Sequence, residues 1–395
     1  MKNFSASLSQ LFKFRYFKNN PFLITTFILL IIGIYFVFNA TVVTSLELYN
    51  NPYIFAIKHL SWVLMGILFF NLAFYFKIYN LRRITFSIYF VSLFFLLTLG
   101  VAKFFPCSNT GFTPCVKGAI RWVVLNPAPL PEIPFIGQIS FQPSELAKLA
   151  LVLVCAYFFT KETLNFEAKI KKILIYCAPI IILVFFQPNK STAGIMVSIL
   201  VAMYLIYGER LKKLLYLLPI IAGIFIFFIL FNSYSLNRVK TFLEVNSSED
   251  QNYHQNQIEI SLGSGGVFGI GLGKSRQKFS FLPEIYSDSI FAVIGEEAGM
   301  IGTYLVTFLI FYLVYLGLKI ASLQTDMYNK LLAVGISAWF GFQAVVNLAS
   351  MAQLMPLTGV PLPLISYGGS STIFLMTGLG ILGNISKSIY ERKHY

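Results

Sequence analysis

Long apolar runs recur along almost the whole chain, at roughly 21–43, 54–75, 84–102, 144–160, 173–186, 192–207, 214–232, 289–317, 328–350 and 368–386. A hydrocarbon layer about 30 Å thick is crossed by about 20 such residues in a helix. The runs therefore predict an all-α integral membrane protein with about ten transmembrane helices. Composition agrees: 57% of the 395 residues are hydrophobic, only 12% are charged, and mean hydropathy is +0.73. The fifth and sixth runs are short and separated by "QPNKST", which predicts that one or both are broken, tilted or re-entrant. The first run is full length and lacks a small-residue cleavage site, so it reads as a span and not as a cleaved signal.

A net charge of +14 raises the question of nucleic acid. The placement of the charges answers it. Nineteen of the 30 Lys and Arg fall before the first run, in "KIYNLRR", "KETLNFEAKIKK", "GERLKK" and "KIASLQTDMYNK", and in the tail, all on one side of the membrane if the spans alternate. The short segments "TSLELYNN" and "QLMPLTGVPLPLIS" on the other side have none. The positive-inside rule then puts both termini in the cytoplasm. No basic patch with stacking aromatics stands outside the lipid boundary, so the sequence predicts no nucleic-acid partner.

The chain reads as one polytopic membrane domain over 1–395, with outer loops at about 103–142 and 233–288. Cys107 and Cys115 lie in the first, as "CSNTGFTPC", where an oxidising compartment favours a bridge. Cys155 and Cys177 sit in spans and are expected to pack as small apolar groups. In the second loop, the polar tract 243–257 is expected to be loop. It precedes "SLGSGGVFGIGLGKS", with six glycines from Gly263 to Gly273. No Lys-Ser/Thr follows at nucleotide-loop spacing. Two readings stand: a tight turn, or a backbone kept bare so that a sugar or pyrophosphate approaches its amides.

Three places carry charge where lipid makes it expensive. In "FQPSELAKLA", Pro143 suits the first position of a helix and Glu145 its first turn. Lys148 is three residues on, placed to pair with Glu145, and either snorkels to the interface or faces an anionic headgroup. Arg121, beside Trp122, is an interfacial anchor or a phosphate clamp. The third place is "FLPEIYSDSIFAVIGEE", with Glu284, Asp288, Glu296 and Glu297. At about 100° per residue, Asp288, Ala292, Gly295, Gly299 and Gly302 share one small-residue face expected to pack closely on a neighbour, and Glu297 points elsewhere. Asp288 is either a helix cap or a reactive carboxylate at the mouth of the span. There is no metal-ligand spacing and no serine–histidine–acid set. The uncharged loop "LMPLTGVPLPLISYGGSS" reads as rigid turns, and its apolar character would suit a cleft wall around a lipid tail.

Taken together, "GAIRW", "FQPSELAKL", "QPNKST", "GSGGVFGIGLGKSRQKFSFLPE", "DSIFAVIGEEAGMIG", "QAVVN" and "TGVPLPLISYGGSS" resemble the SEDS family (shape, elongation, division and sporulation), which includes FtsW, RodA and SpoVE. The matches run in family order from residue 118 to 371, and ten spans with both termini inside is the family topology. The resemblance implies a glycosyltransferase of the bacterial cytoplasmic membrane that polymerises lipid II at the outer face and releases undecaprenyl pyrophosphate. Asp288 matches the family's essential aspartate, implied to take the proton of the acceptor hydroxyl. Lys148 and Arg121 match motifs implied to hold pyrophosphate charge. Glu145, Gln187, Gln277, Lys278, Glu296 and Ser366 lie in matching motifs and join them as substrate-binding candidates.

No cofactor is identified by the resemblance, which leaves room for a divalent cation. Its expected partners are lipid II, a class B penicillin-binding protein transpeptidase, other division proteins and the bilayer. "DSIFAVIGEE" leans towards the FtsW type, at the division septum, over the RodA type that serves elongation. A lipid II flippase is the alternative activity, but charge gathers at the outer mouth, with Glu296 the main deeper exception, and the enzyme is favoured. The sequence departs from the family at "QPNKST", where Asn189 and Ser191 replace an acid and a glycine, and at Gln353, where glycine is common. The loop between Trp122 and Phe141 also looks long.

The charge distribution makes one direct prediction. A cysteine introduced at position 165 should be labelled only from the cytoplasmic side, and labelling from outside would invert the topology.

Overall fold

The computed structural model describes residues 20–105, 111–116, 119–127, 130–131, 137–208, 249–279 and 285–394. Within them lie ten helices: α1 (Pro21–Tyr49), α2 (Ile54–Tyr75), α3 (Ile78–Ala102), α4 (Pro143–Phe159), α5 (Phe166–Phe186), α6 (Lys190–Tyr207), α7 (Glu249–Ser264), α8 (Ile290–Ser322), α9 (Met327–Met351) and α10 (Gly369–His394). All but α7 coincide with an expected span. The run at 214–232 lies outside the described residues. On length and composition, seven described helices can cross a membrane. Of the remaining expected spans, α4 has only 17 residues, and α5 opens on about two turns carrying Glu167, Lys169, Lys171 and Lys172.

Two strand pairs fold the segment between α3 and α4: β1 (Cys115–Val116) against β2 (Ala119–Ile120), and β3 (Val123–Val124) against β4 (Ser140–Phe141), both antiparallel. Cys115 is disulfide-bonded, and Cys107 lies outside the described residues. α1 starts where its sequence directs, with the Asn20 side chain accepting from the Phe22 N–H at 3.1 Å and Pro21 in the first turn.

α4 is the central helix. Fifteen of its 17 residues are buried, among α3, α5, α6 and α9, as a helix apolar on all sides requires. Cys155 and Cys177 pack here as expected, reduced and buried, with their Sγ atoms 3.6 Å apart across α4 and α5. Of the alternatives expected for the short runs, a break is absent: α5 and α6 are each continuous. The Gln187–Asn189 turn joins them, and Pro179 lies inside α5 without interrupting it.

The expectation for 243–257 is corrected in its described part. α7 begins at Glu249, because one side of that polar tract and its continuation docks on α8: Ile258 and Ser261 are buried, and Ser261 Oγ donates to the Ala292 carbonyl at 2.9 Å.

The small-residue face of α8 does pack closely, and its partner is the glycine tract. At Gly299 the backbone leaves helical geometry, with φ 65° and ψ −161°. The break parts the Met300 and Ile301 N–H groups from the Glu296 and Glu297 carbonyls they would reach in a continuous helix. Each of the four groups finds a partner in the tract instead. Ile270 and Gly271 donate to the Glu296 and Glu297 carbonyls at 2.9 and 3.2 Å, and Met300 and Ile301 donate to the Gly266 and Val267 carbonyls at 2.9 and 3.2 Å. A Cβ on Gly269, where φ is +81°, would overlap the Glu297 carbonyl. The tract does turn tightly, with positive φ at Gly266, Gly269, Gly271 and Gly273, and its bare backbone serves the protein's own α8.

Gly269→Ala should therefore lower stability by at least about 2 kcal/mol, through backbone overlap and a strained φ. Gly263→Ala, where an added methyl meets nothing within 4 Å, should stay within about 0.5 kcal/mol of the parent. Thermal unfolding of both variants in detergent checks the pair.

Candidate active site

Asp288 lies just before α8. The cap position belongs to Ser289, which makes no capping bond and instead meets His254 Nε2 through its hydroxyl at 3.0 Å. The capping reading of Asp288 is thereby replaced. Its side chain is 6% exposed, and Ser287 Oγ donates to its Oδ1 at 3.2 Å. Its carbonyl accepts from Asn347 Nδ2 at 2.8 Å, and the same amide nitrogen reaches the Val360 carbonyl at 2.8 Å. Gly359, at φ +68°, faces the carboxylate, and a Cβ there would stand 3.9 Å from Oδ2. The carboxylate thus sits between the start of α8 and the strap 358–360.

Lys148 and Glu145 pair as their spacing predicts, at 2.8 Å, one turn into α4. Lys148 does not snorkel: at 1% exposure its ammonium lies inside the bundle. It donates to Gln343 Oε1 at 2.8 Å and stands 5.1 Å from the centre of the Trp339 ring. Gln343 uses its whole amide. Its Oε1 also accepts from Trp339 Nε1 at 3.0 Å, and its Nε2 donates to the Pro361 carbonyl and to Ser371 Oγ, each at 3.2 Å. Gln343 and Asn347 stand one turn apart on α9 and hold the adjacent carbonyls of Pro361 and Val360. A continuous polar spine therefore links the Glu145–Lys148 pair to the segment carrying Asp288.

The remaining candidates fall into other clusters. Arg121 donates from Nε to the Gln187 carbonyl at 3.2 Å and from Nη2 to the Pro188 carbonyl at 2.9 Å, and Gln187 Nε2 donates to the Leu96 carbonyl at 3.2 Å. These bonds stitch the α5–α6 turn to the segment between α3 and α4 and to α3. Asn189 belongs to the same turn, its amide donating to Ser144 Oγ at 3.4 Å.

Glu296 accepts from the Arg276 N–H at 3.0 Å and from the Ser275 hydroxyl. Glu297, expected to point away, is buried as well: it takes the N–H groups of Gly273 and Ser275 at 3.0 and 3.1 Å and the Asn39 amide. Lys278 bonds Asn39 Oδ1 at 3.2 Å and the Gly273 carbonyl, and Gln277 is buried beside them. Ser366 pins a turn, its Oγ accepting from the Leu362 N–H at 2.8 Å. Along that loop Leu362 and Leu364 pack inward, whereas Leu354 is exposed. Burial pushes the neighbouring Tyr367 phenol up to about 12, which keeps it protonated at neutral pH. Among the described residues no group of three His, Cys, Asp or Glu could hold a metal ion.

The model of the FtsW/RodA/SpoVE cell cycle protein family matches residues 20–391. The chain belongs to that family. It is 32% identical over 375 residues to stage V sporulation protein E of Bacillus subtilis, covering 92% of this chain and 95% of the relative. It is also 32% identical over 364 residues to the probable peptidoglycan glycosyltransferase FtsW of Haemophilus influenzae, covering 90% and 86%. Among solved structures, RodA of Thermus thermophilus superposes with a TM-score of 0.66 at 22% identity, over 93% of this chain and 96% of that one. A chain from a structure on the coordination of polymerization and crosslinking by a peptidoglycan synthase complex gives 0.71 at 21% identity, over 94% and 98%. These two likenesses are of fold.

One family departure now has a physical correlate. Gln353 adopts φ +55°, the left-handed region that glycine enters without cost, and its amide bonds the Gln255 carbonyl at 3.2 Å. Trp339, Gln343 and Asn347 were not among the sequence candidates. Their signal was present as polar residues at helical spacing within an apolar run, inside and beside "QAVVN".

The spine carries a stability prediction. Lys148→Met leaves Glu145 buried without its cation and should cost about 3–5 kcal/mol, whereas Lys148→Met combined with Glu145→Gln should recover much of the loss. Unfolding of the single and double variants in detergent reads the difference.

Proposed function

We propose that this protein is a peptidoglycan glycosyltransferase that polymerises lipid II at the outer face of the cytoplasmic membrane, with Asp288 as the general base. The carboxylate takes the proton of the acceptor sugar hydroxyl as that oxygen attacks the donor's anomeric carbon, and undecaprenyl pyrophosphate leaves. Support comes from the family and from the names of the relatives. The observation that carries the assignment is the setting of Asp288: a carboxylate at the mouth of a spanning helix, off the cap position, fixed through its own main chain and faced by a glycine.

Lys148 serves this site from within, as a buried charge holding Gln343 and, through Pro361, the strap facing Asp288. Arg121 acts likewise on the α5–α6 turn. A class B penicillin-binding protein that crosslinks the product and action at the septum complete the reading. The flippase alternative is disfavoured because the deeper acids, Glu296 and Glu297, are occupied by the protein's own amides.

Asp288→Asn keeps the size of the side chain but cannot accept the proton. Purified, folded variant given labelled lipid II should bind it and polymerise about 10²–10⁴-fold more slowly. Glycan strands made at near the parent rate would remove Asp288 from the mechanism.

A further inference from the structure

Asn347 is wholly buried one turn before the end of α9, and both of its observed donations go to main-chain carbonyls, those of Asp288 and Val360. These two carbonyls belong to the two sides of the candidate site: the residue carrying the carboxylate, and the strap whose Gly359 faces it. The amide orientation follows from chemistry, since the opposite one would set Oδ1 against two carbonyl oxygens. The orientation has a cost. Oδ1 is buried with no hydrogen-bond partner, a penalty that a space-filling side chain at this position would not incur.

We propose that Asn347 is the positioning residue of this active site, setting the distance between the Asp288 carboxylate and the 358–360 strap. Its bonds go to the main chain of Asp288 and Val360 and not to the carboxylate. By fixing the peptide plane of Asp288 it fixes the direction in which that side chain leaves the backbone, and by holding Val360 with the same nitrogen it locks the facing wall to the same reference. The adjacent carbonyl of Pro361 is held by Gln343, so the strap is clamped at two successive residues and cannot pivot about either bond alone. The proposal rests on Asp288 being the base.

The test compares Asn347→Leu, Asn347→Ser and Asp288→Asn in lipid II polymerisation, each with a thermal melt and a lipid II binding measurement in detergent. Leu keeps the branched shape and removes both donations. Ser keeps one short donor and makes space without a clash, so it remains informative if the Leu variant does not fold. A misplaced catalytic group costs on the order of 10²-fold in rate. The expected result is a kcat loss of that order for Asn347→Leu and a smaller one for Asn347→Ser, with KM and lipid II binding close to the parent and the melt preserved for at least the Ser variant. Parent-like kcat in both Asn347 variants, with Asp288→Asn inactive, overturns the positioning role and leaves the base assignment standing. Parallel losses of melt, binding and rate in both variants also overturn it, because they mark a merely structural residue. If Asp288→Asn is itself active, the base assignment falls and this proposal with it.

Discussion

The break of α8 at Gly299 is the feature on which the rest of the arrangement depends. Inside a bilayer an unpaired backbone group costs several kcal/mol, so a spanning helix can open only where other protein supplies replacements. Here the glycine tract supplies all four, two donors and two acceptors. Glycine is needed because the two backbones lie closer than any side chain allows at Gly265 and Gly269. Once the tract is seated, the following residues fold back over α8, and their N–H groups at Gly273, Ser275 and Arg276 fall on the carboxylates of Glu296 and Glu297. Two acids in the middle of an apolar run are thereby given donors on the spot.

The second organising element is the polar spine through α4 and α9. Lys148 is too deep for water to solvate, and its partners come from α4 itself and from α9. A buried ion pair of this kind adds little net stability, but removing one member is costly, so it acts as a specification of register. The register it fixes is that of Gln343 and, one turn on, Asn347. Their side chains turn a helix–helix contact into a fixed placement of the 358–361 strap relative to Asp288. Catalytic electrostatics depends on groups held in place before the reaction begins, and this framework is made of hydrogen bonds that need not rearrange.

Much of the fold was legible because its signals are local. Apolar length located the spans, Pro143 and Glu145 marked the start of α4, and the three-residue spacing of Glu145 and Lys148 foretold their ion pair. Asp288 stood out as an acid at the mouth of an apolar run. What escaped was non-local. The partner of Lys148 is 195 residues away in sequence, and Asn347 reaches Asp288 across 59. Neither distance leaves a periodic trace. The helix at 249–264 was missed because a polar composition was read as loop, although its buried side is only a narrow stripe at Ile258 and Ser261. The burial of Glu297 was missed because helical periodicity tells which residues share a face but not what lies against the opposite one.

Glu297 also bears on what the charges of this bundle are for. A passage for a large polar headgroup needs groups along its length that are able to exchange protein partners for the passing ligand. The deep acids do not meet that need: Glu297 takes two main-chain N–H groups and an asparagine amide, and Glu296 takes a main-chain N–H and a hydroxyl, all from this chain. Releasing either one would expose the donors of the glycine tract and, behind them, the open hydrogen bonds of the α8 break. Asp288 differs in kind. Its carbonyl is held by Asn347 from α9, while its carboxylate takes the hydroxyl of the adjacent Ser287 and is faced by Gly359. Charge that holds the fold together and charge placed to react are thus separated along a single helix, the first two turns in and the second at its mouth. That separation fits chemistry performed at one face better than transport through the middle.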